Sequence, residues 1–422
     1  MTRRFAAVLA ATTLLAARAP AQADAPAKRA KPPSTRLQGV TRSMAARWGL
    51  VAKGSGQLRF LPAGTAKWQT LHKVPGDSLY RVAMDDAGRL LATWEKEPHF
   101  HLFDTKTNQH LTFAKPPAPS AEFKYGYNVE NLYFTKDGSA AIVYMHGFTG
   151  GRSWTTVAYR YDLGRPSEPA LLFRQPGYEL HSSSRLAVYA LPQNEQSACE
   201  DNSCYPLGAI IGWEISGATA TKRILLSGAP NNKLSRVRPV WGSDDERVGV
   251  LIDEHPRGRQ LLRWHAGDAN AAVRPLAPGP DYDAEAVHLT KSDDFIEAWL
   301  TGERGLEIRR HAPKGDAKIT ALAPLPRRTP HDHPLFSVTE VIDRKNGGLI
   351  VNWGEYLVLL PPAGPPRRLD LRSLFGLRSE FEGQVIYVPA PEGLWFGVRA
   401  ASTVDFSYLT LADLEARAQP LP

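Results

Sequence analysis

Along most of the chain, a cluster of Asp, Asn, Gly and Ser is followed directly by a short apolar run rich in Val, Ile, Leu and aromatics. The unit appears as MDDAGRLLATW (84–94), TKDGSAAIVYM (135–145), HSSSRLAVYAL (181–191) and GSDDERVGVLI (242–252). It recurs as KSDDFIEAWL (291–300), DRKNGGLIVNW (343–353) and APEGLWFGVRA (390–400), with a weaker version, MAARWGLVAKG, at 44–54. The polar residues close a tight turn, and the run after it predicts a buried strand. A second unit of strand, polar turn and strand follows: HLFDTKTNQHLTF (101–113), VAYRYDLGRPSEPALLF (157–173), LLRWHAGDANAAVRPL (261–276) and YLTLADLEARAQPL (408–421). Asp104 and Asp162 stand just past the strand, where a side-chain oxygen can cap the turn. Long amphipathic helices are absent from the pattern, which leaves room only for single turns near Leu371–Leu374 and Leu411–Leu414.

The repeat length of about 50 residues matches a propeller blade. Four-stranded units repeated around a channel leave few exposed edges. The expectation is an all-β propeller of eight four-stranded blades, or seven if the first or last unit is incomplete and the termini share a blade. A solenoid would need a shorter, stricter repeat, and a pair of β-sandwiches would not explain the even spacing.

The DDAGRLLATW…HLFDTKTNQ and SDDERVGVLI…LLRWHAGD patterns resemble the TolB-like and WD-repeat propellers, from about residue 40 to 420. The Trp-Asp pair that closes a WD-repeat blade is not kept. The resemblance implies a rigid platform of the kind used to assemble other proteins in the bacterial envelope, and it supplies no catalytic residue.

Composition narrows the class further. The chain has 422 residues with 43% hydrophobic content and 22% charged, enough for a sizeable core. Two cysteines rule out a disulfide-dense scaffold, a multi-cysteine zinc site and an iron–sulfur protein. Residues 1–23 have the form of a secretory signal: Arg3 and Arg4, an apolar stretch from Phe5 to Leu15, and Ala21-Gln22-Ala23 as the cleavage site. That stretch is too short to span a bilayer core of roughly 30 Å. Residues 24–38, rich in Pro and Lys, read as a flexible tether, and 39–422 as one propeller domain. Losing residues 1–23 lowers the formal charge from +8 to +5. The basic residues are scattered rather than striped, which argues against nucleic acid. A periplasmic or secreted address follows, with no transmembrane segment and a chain monomeric by itself.

Candidate chemistry gathers where the loops between second and third strands should open on one face. Glu95, Glu97, His146, Arg152, Glu254, His255, Arg257, Glu303, Arg304, Glu355 and Arg399 fall there. Such a mixed ring suits a polar binding face. The connection before the seventh unit adds Arg327, Arg328, His331, Asp332 and His333. His331 and His333 are weak metal candidates, since imidazoles next to prolines in a loop are more often solvated. His99 and His101 are weaker still. Cys199 and Cys204 enclose four residues in an insertion of the fourth unit. In an oxidising compartment they are expected to form a small-loop disulfide. Trp94, Trp213, Trp264, Trp299, Trp353 and Trp395 lie on predicted strands and read as packing between blades rather than as a sugar platform. Tyr80, Tyr127, Tyr178 and Tyr282 recur just before innermost strands.

No haem-attachment string, nucleophile elbow or Gly-rich phosphate loop occurs, and no cofactor is expected. The favoured reading is an interaction platform for an envelope protein partner. The alternative is a propeller enzyme or receptor for carbohydrate or peptide, metal-assisted through His331 or His333 with His146 or His255.

Overall fold

The computed structural model describes residues 34–421 apart from 39, 47–48, 55–56, 74–78, 95–97, 117, 119–122, 150–153, 165–168, 194–198, 201–202, 205, 230–234, 255–256, 278–285, 302–304, 316, 323–337, 378–382, 390–391 and 401–402. Eight antiparallel sheets form an eight-bladed β-propeller. Blades 1 to 7 span 40–73, 79–114, 123–176, 178–227, 235–275, 286–322 and 338–370. Each is a four-stranded meander whose first strand is innermost and meets the first strand of at least one neighbouring blade.

Blade 8 closes the ring. Its three inner strands come from the C-terminal part, Gly383–Pro389, Glu392–Ala400 and Thr403–Thr410. Its outermost strand is Thr35–Gln38, with Thr35 opposite Phe406 and Gln38 opposite Thr403. Residues 35–38, expected as the end of a tether, therefore belong to the propeller. Composition suggested solvated chain there, but the open edge of the last sheet supplies hydrogen-bond partners that override it. The shared blade is also compatible with eight blades rather than seven.

The stretch 408–421 departs from its expected strand–turn–strand form. After Thr410 comes a short helix, Leu411–Arg417, in which Thr410 and Asp413 form a capping box. The final Gln419–Pro420 strand then adds to the outer edge of blade 7, opposite Arg367 and Arg368. A shorter helix, Leu371–Phe375, follows blade 7 and is capped by the Asp370 side chain on the Ser373 N–H.

The turn residues do what the pattern requires. Asp85 Oδ1 accepts from Arg89 N at 2.7 Å, Asp137 Oδ1 from Ser139 N at 3.0 Å, and Asp244 Oδ1 from Glu246 N at 2.9 Å. Asp104 Oδ1 takes the N–H groups of Lys106 and Thr107, and Asp162 Oδ1 that of Gly164.

The core is divided into eight apolar clusters, one in each seam between blades, including the seam where blade 8 meets blade 1. Six tryptophans on strands go to six different seams. Trp94 lies between blades 1 and 2, Trp213 between 3 and 4, and Trp264 between 4 and 5. Trp299 lies between 5 and 6, Trp353 between 6 and 7, and Trp395 between 8 and 1. Splayed sheets need bulky fillers, and the packing expected of these indoles is what they provide. Among the described residues, no helix is long and apolar enough to cross a membrane.

Candidate functional site

Because every blade is an antiparallel meander, turns after first and third strands emerge at one end of the ring. Loops after second strands, and blade-to-blade connections, emerge at the other. His146, Arg257 and Glu355 lie at this second end. Arg257 is exposed and donates from Nη1 to Ser227 O at 3.0 Å. Glu355 is half-buried, and its carbonyl accepts the Leu371 N–H at 3.0 Å. The backbone of Glu254 ends the second strand of blade 5, opposite Gly258, and that of Arg399 lies one residue before the end of the second strand of blade 8, opposite Val404. Glu95, Glu97, Arg152, His255, Glu303, Arg304, Arg327, Arg328, His331, Asp332, His333 and Tyr282 lie outside the described residues.

His146 is the sequence candidate with the richest surroundings. It sits near the end of the long second strand of blade 3, Ala140–Thr149, which pairs irregularly with Phe123–Phe134. A further register shift in blade 4 lies between Glu179 and His181. Bulges of this kind turn side chains out of the simple alternation. Here they accompany a polar cluster in the seam between blades 3 and 4.

Glu179 is its centre. Its Oε2 lies 3.0 Å from His146 Nε2, while Oε1 accepts from Ser182 Oγ at 2.7 Å and Asn131 Nδ2 at 2.9 Å. Asn131 Nδ2 also reaches Ser182 Oγ at 2.9 Å, and Tyr133 OH lies 3.2 Å from the same oxygen. Burial alone would raise the Glu179 pKa. The hydrogen bond and charge of His146, with the Ser182 hydroxyl, outweigh it and hold the carboxyl below its usual range.

This order of groups decides the chemistry. A nucleophilic triad needs the imidazole between hydroxyl and carboxylate. Here Ser182 and His146 both bond to the carboxylate, so the acid stands between them. The cluster fixes the seam and orients His146; it does not activate Ser182.

Trp154 opens the third strand of blade 3 beside this cluster, its ring 6.3 Å from His146 and 5.6 Å from Phe148. It is 48% exposed, unlike the seam tryptophans. Trp241, 53% exposed, lies at the opposite end, after the first strand of blade 5.

A buried carboxylate lies between blades 5 and 6. Glu297 is paired with Arg259, and its Oε2 lies 2.8 Å from His311 Nε2. Burial works to raise its pKa, but His311 and Arg259 together hold it below the usual range. The Arg259 and Arg309 guanidiniums lie 5.0 and 5.4 Å from the Trp299 ring centre. Sequence reading passed over Glu297, although a lone acid inside the apolar run FIEAWL was the available signal. Glu179 and Ser182 carried none, since His146, Asn131 and Tyr133, which meet them, come from another blade.

Tyr127 does not offer a free hydroxyl at the mouth. It donates to Tyr159 OH at 3.2 Å, and burial pushes its pKa far up. Cys199 and Cys204 face each other in a short antiparallel hairpin whose second strand joins the inner edge of blade 5 through Ser203 and Arg236. A groove of about 230 Å³ between blades 6 and 7 is lined by Arg310, Lys318, Thr320 and the 361–364 turn.

No family model matches this chain, and no curated protein matches it. Among solved structures, it is similar to the WD40 domain of SCAP from fission yeast at 8% identity and TM-score 0.46. That match covers 90% of this chain and 96% of the other. It is similar to YCF48 from Cyanidioschyzon merolae at 12% identity and TM-score 0.40, covering 79% and 95%. The tricorn protease matches at 12% identity and TM-score 0.44. The match covers 82% of this chain and 37% of the tricorn protease chain. The common feature is the propeller architecture, which the sheet topology establishes on its own.

Proposed function

We propose that this chain is a periplasmic or secreted interaction platform of the bacterial envelope. Its protein partner docks over the end of the ring where the loops after the second strands emerge. The observation that supports this reading is Trp154. A large aromatic left half exposed beside a half-buried, hydrogen-bonded His146–Glu179 pair is the kind of rigid anchor on which protein interfaces concentrate their binding energy. Arg257 adds an exposed cation at the same end. The Cys199–Cys204 disulfide belongs to this proposal. Directly opposed residues of an antiparallel pair stand roughly 4.5–5.5 Å apart at Cα, within disulfide reach.

The test is a cross-linking capture from the native envelope with parent, Trp154→Ala, Arg257→Glu and Trp241→Ala chains. A stoichiometric partner is expected with the parent and with Trp241→Ala, and is expected to be lost with Trp154→Ala and reduced with Arg257→Glu. Equal capture by all four chains would remove the interface from this end. Capture by none would remove the platform reading.

A further inference from the structure

Blades 6 and 7 differ in width. Blade 6 ends at its fourth strand, Ala317–Leu322, whereas blade 7 carries a fifth, Gln419–Pro420, beside Arg367 and Arg368. Where the two edges fall out of step lies the groove of about 230 Å³. Turns after the first and third strands of blade 7 frame it, so it opens at the end of the ring opposite Trp154. Ile308, Leu349 and Leu360 make an apolar floor. The prolines of the 361–366 turn wall one side, and Lys318 and Thr320 of the blade 6 edge wall the other.

Charge in the groove has one sign. Its lining holds two cations, Arg310 and Lys318, and no carboxylate. Asp294 Oδ2, behind the wall, accepts from Arg310 Nε at 2.6 Å and Nη2 at 2.5 Å, which leaves Nη1 outside that pair. Neither the Lys318 ammonium nor the Thr320 hydroxyl has a hydrogen-bond partner among the described residues.

We propose that this groove binds the C-terminal residue of an extended peptide, with its apolar side chain on the floor and its carboxylate between Lys318 and Arg310. The volume is below the roughly 300–1,000 Å³ of pockets for drug-sized ligands, and suits a single residue. The chain itself shows the mode of binding next door. Leu421 follows the added strand of blade 7, donates its N–H to Pro366 O at 3.1 Å, and packs against the cluster that holds Ile308, Leu349 and Leu360. Blade 6 has the matching vacancy, since no further strand pairs with Ala317–Leu322 among the described residues. Main-chain bonds to that edge hold the peptide, and the groove reads its last residue. A lysine on an edge strand ordinarily deters strand addition. Over an acid-free groove, Lys318 instead selects a strand that ends in a carboxylate.

The test is calorimetric titration of the purified full chain with an acetylated tetrapeptide of valine, threonine, valine and leucine. One-to-one binding is expected, weakening as salt is raised. The same peptide with a C-terminal amide is expected to bind about tenfold more weakly or worse, because the charge-assisted bonds are lost. Isocaproate, the same apolar body and carboxylate without a strand, is expected to bind more weakly than the peptide. Lys318→Gln should cost about tenfold, and Ala363→Trp should abolish binding by filling the groove. Both side chains are exposed, so both variants are expected to melt with the parent. Trp154→Ala should bind the peptide as the parent does, which separates this site from the docking end. No binding, equal binding of the amide, equal binding of isocaproate, or binding indifferent to both groove substitutions would each overturn the assignment.

Discussion

Where the turn after the first strand of blade 5 meets the first strand of blade 6, Trp241 N donates to Val287 O, and Leu289 N donates to Trp241 O at 2.6 Å. His288 lies between these bonds, 7% exposed, and neither ring nitrogen has a hydrogen-bond partner among the described residues. Burial, helped by the Arg247 charge, lowers its pKa from 6.5 to about 4. The unfolded chain therefore binds a proton at this residue before the folded chain does. His288 costs nothing extra above pH 6.5, and it removes stability progressively as pH falls toward 4. A shift of this size corresponds to about 3 kcal/mol at the acid end. Urea unfolding of parent and His288→Leu chains from pH 7.5 to pH 4 checks this. The variant is expected to gain on the parent by about 3 kcal/mol across that range, and parallel curves would refute the argument. Removing two unpartnered buried nitrogens should also leave the variant at least as stable at pH 7.5.

At the scale of the strand, one residue type serves two purposes, and burial separates them. Trp264 is fully buried between blades 4 and 5, with Gly212 beneath it; a Cβ at 212 would stand 2.8 Å from the indole. Trp264→Ala is expected to destabilise by about 3–5 kcal/mol, and Gly212→Ala by about 1–3 kcal/mol through overpacking. Trp154→Ala should change thermal stability by much less, since its ring is already half in water; calorimetry on the three variants decides. The turn–strand units, their Asp caps and the seam tryptophans were legible in the sequence because each rests on contacts within a few residues or on a repeated position. The pair His146–Glu179 was not. It joins strands of different blades, so no spacing along the chain announces it. Strand bulges around Glu179 further break the alternation that would have shown which way its side chain points.

For the molecule as a whole, stability hinges on how a linear chain closes a ring. Seven seams join blades that follow one another in sequence, whereas the eighth joins blade 8 to blade 1 through Leu50, Leu61, Trp395 and Phe406. Thr35–Gln38 reinforces that closure by capping the third strand of blade 8, and Gln419–Pro420 fastens the other terminus to blade 7. A chain beginning at residue 34 retains the closing strand, and one beginning at residue 40 lacks it. Four cross-strand positions at about 0.2–1 kcal/mol each make the strand worth about 1–4 kcal/mol. The shorter chain is therefore expected to melt several degrees lower. It would also leave the Thr403–Thr410 edge open, the condition under which strands pair between molecules. Calorimetry should show the lower midpoint, and sedimentation should show concentration-dependent association only in the chain that starts at 40. Equal midpoints and monomeric behaviour in both would mean that the apolar seam alone closes the ring.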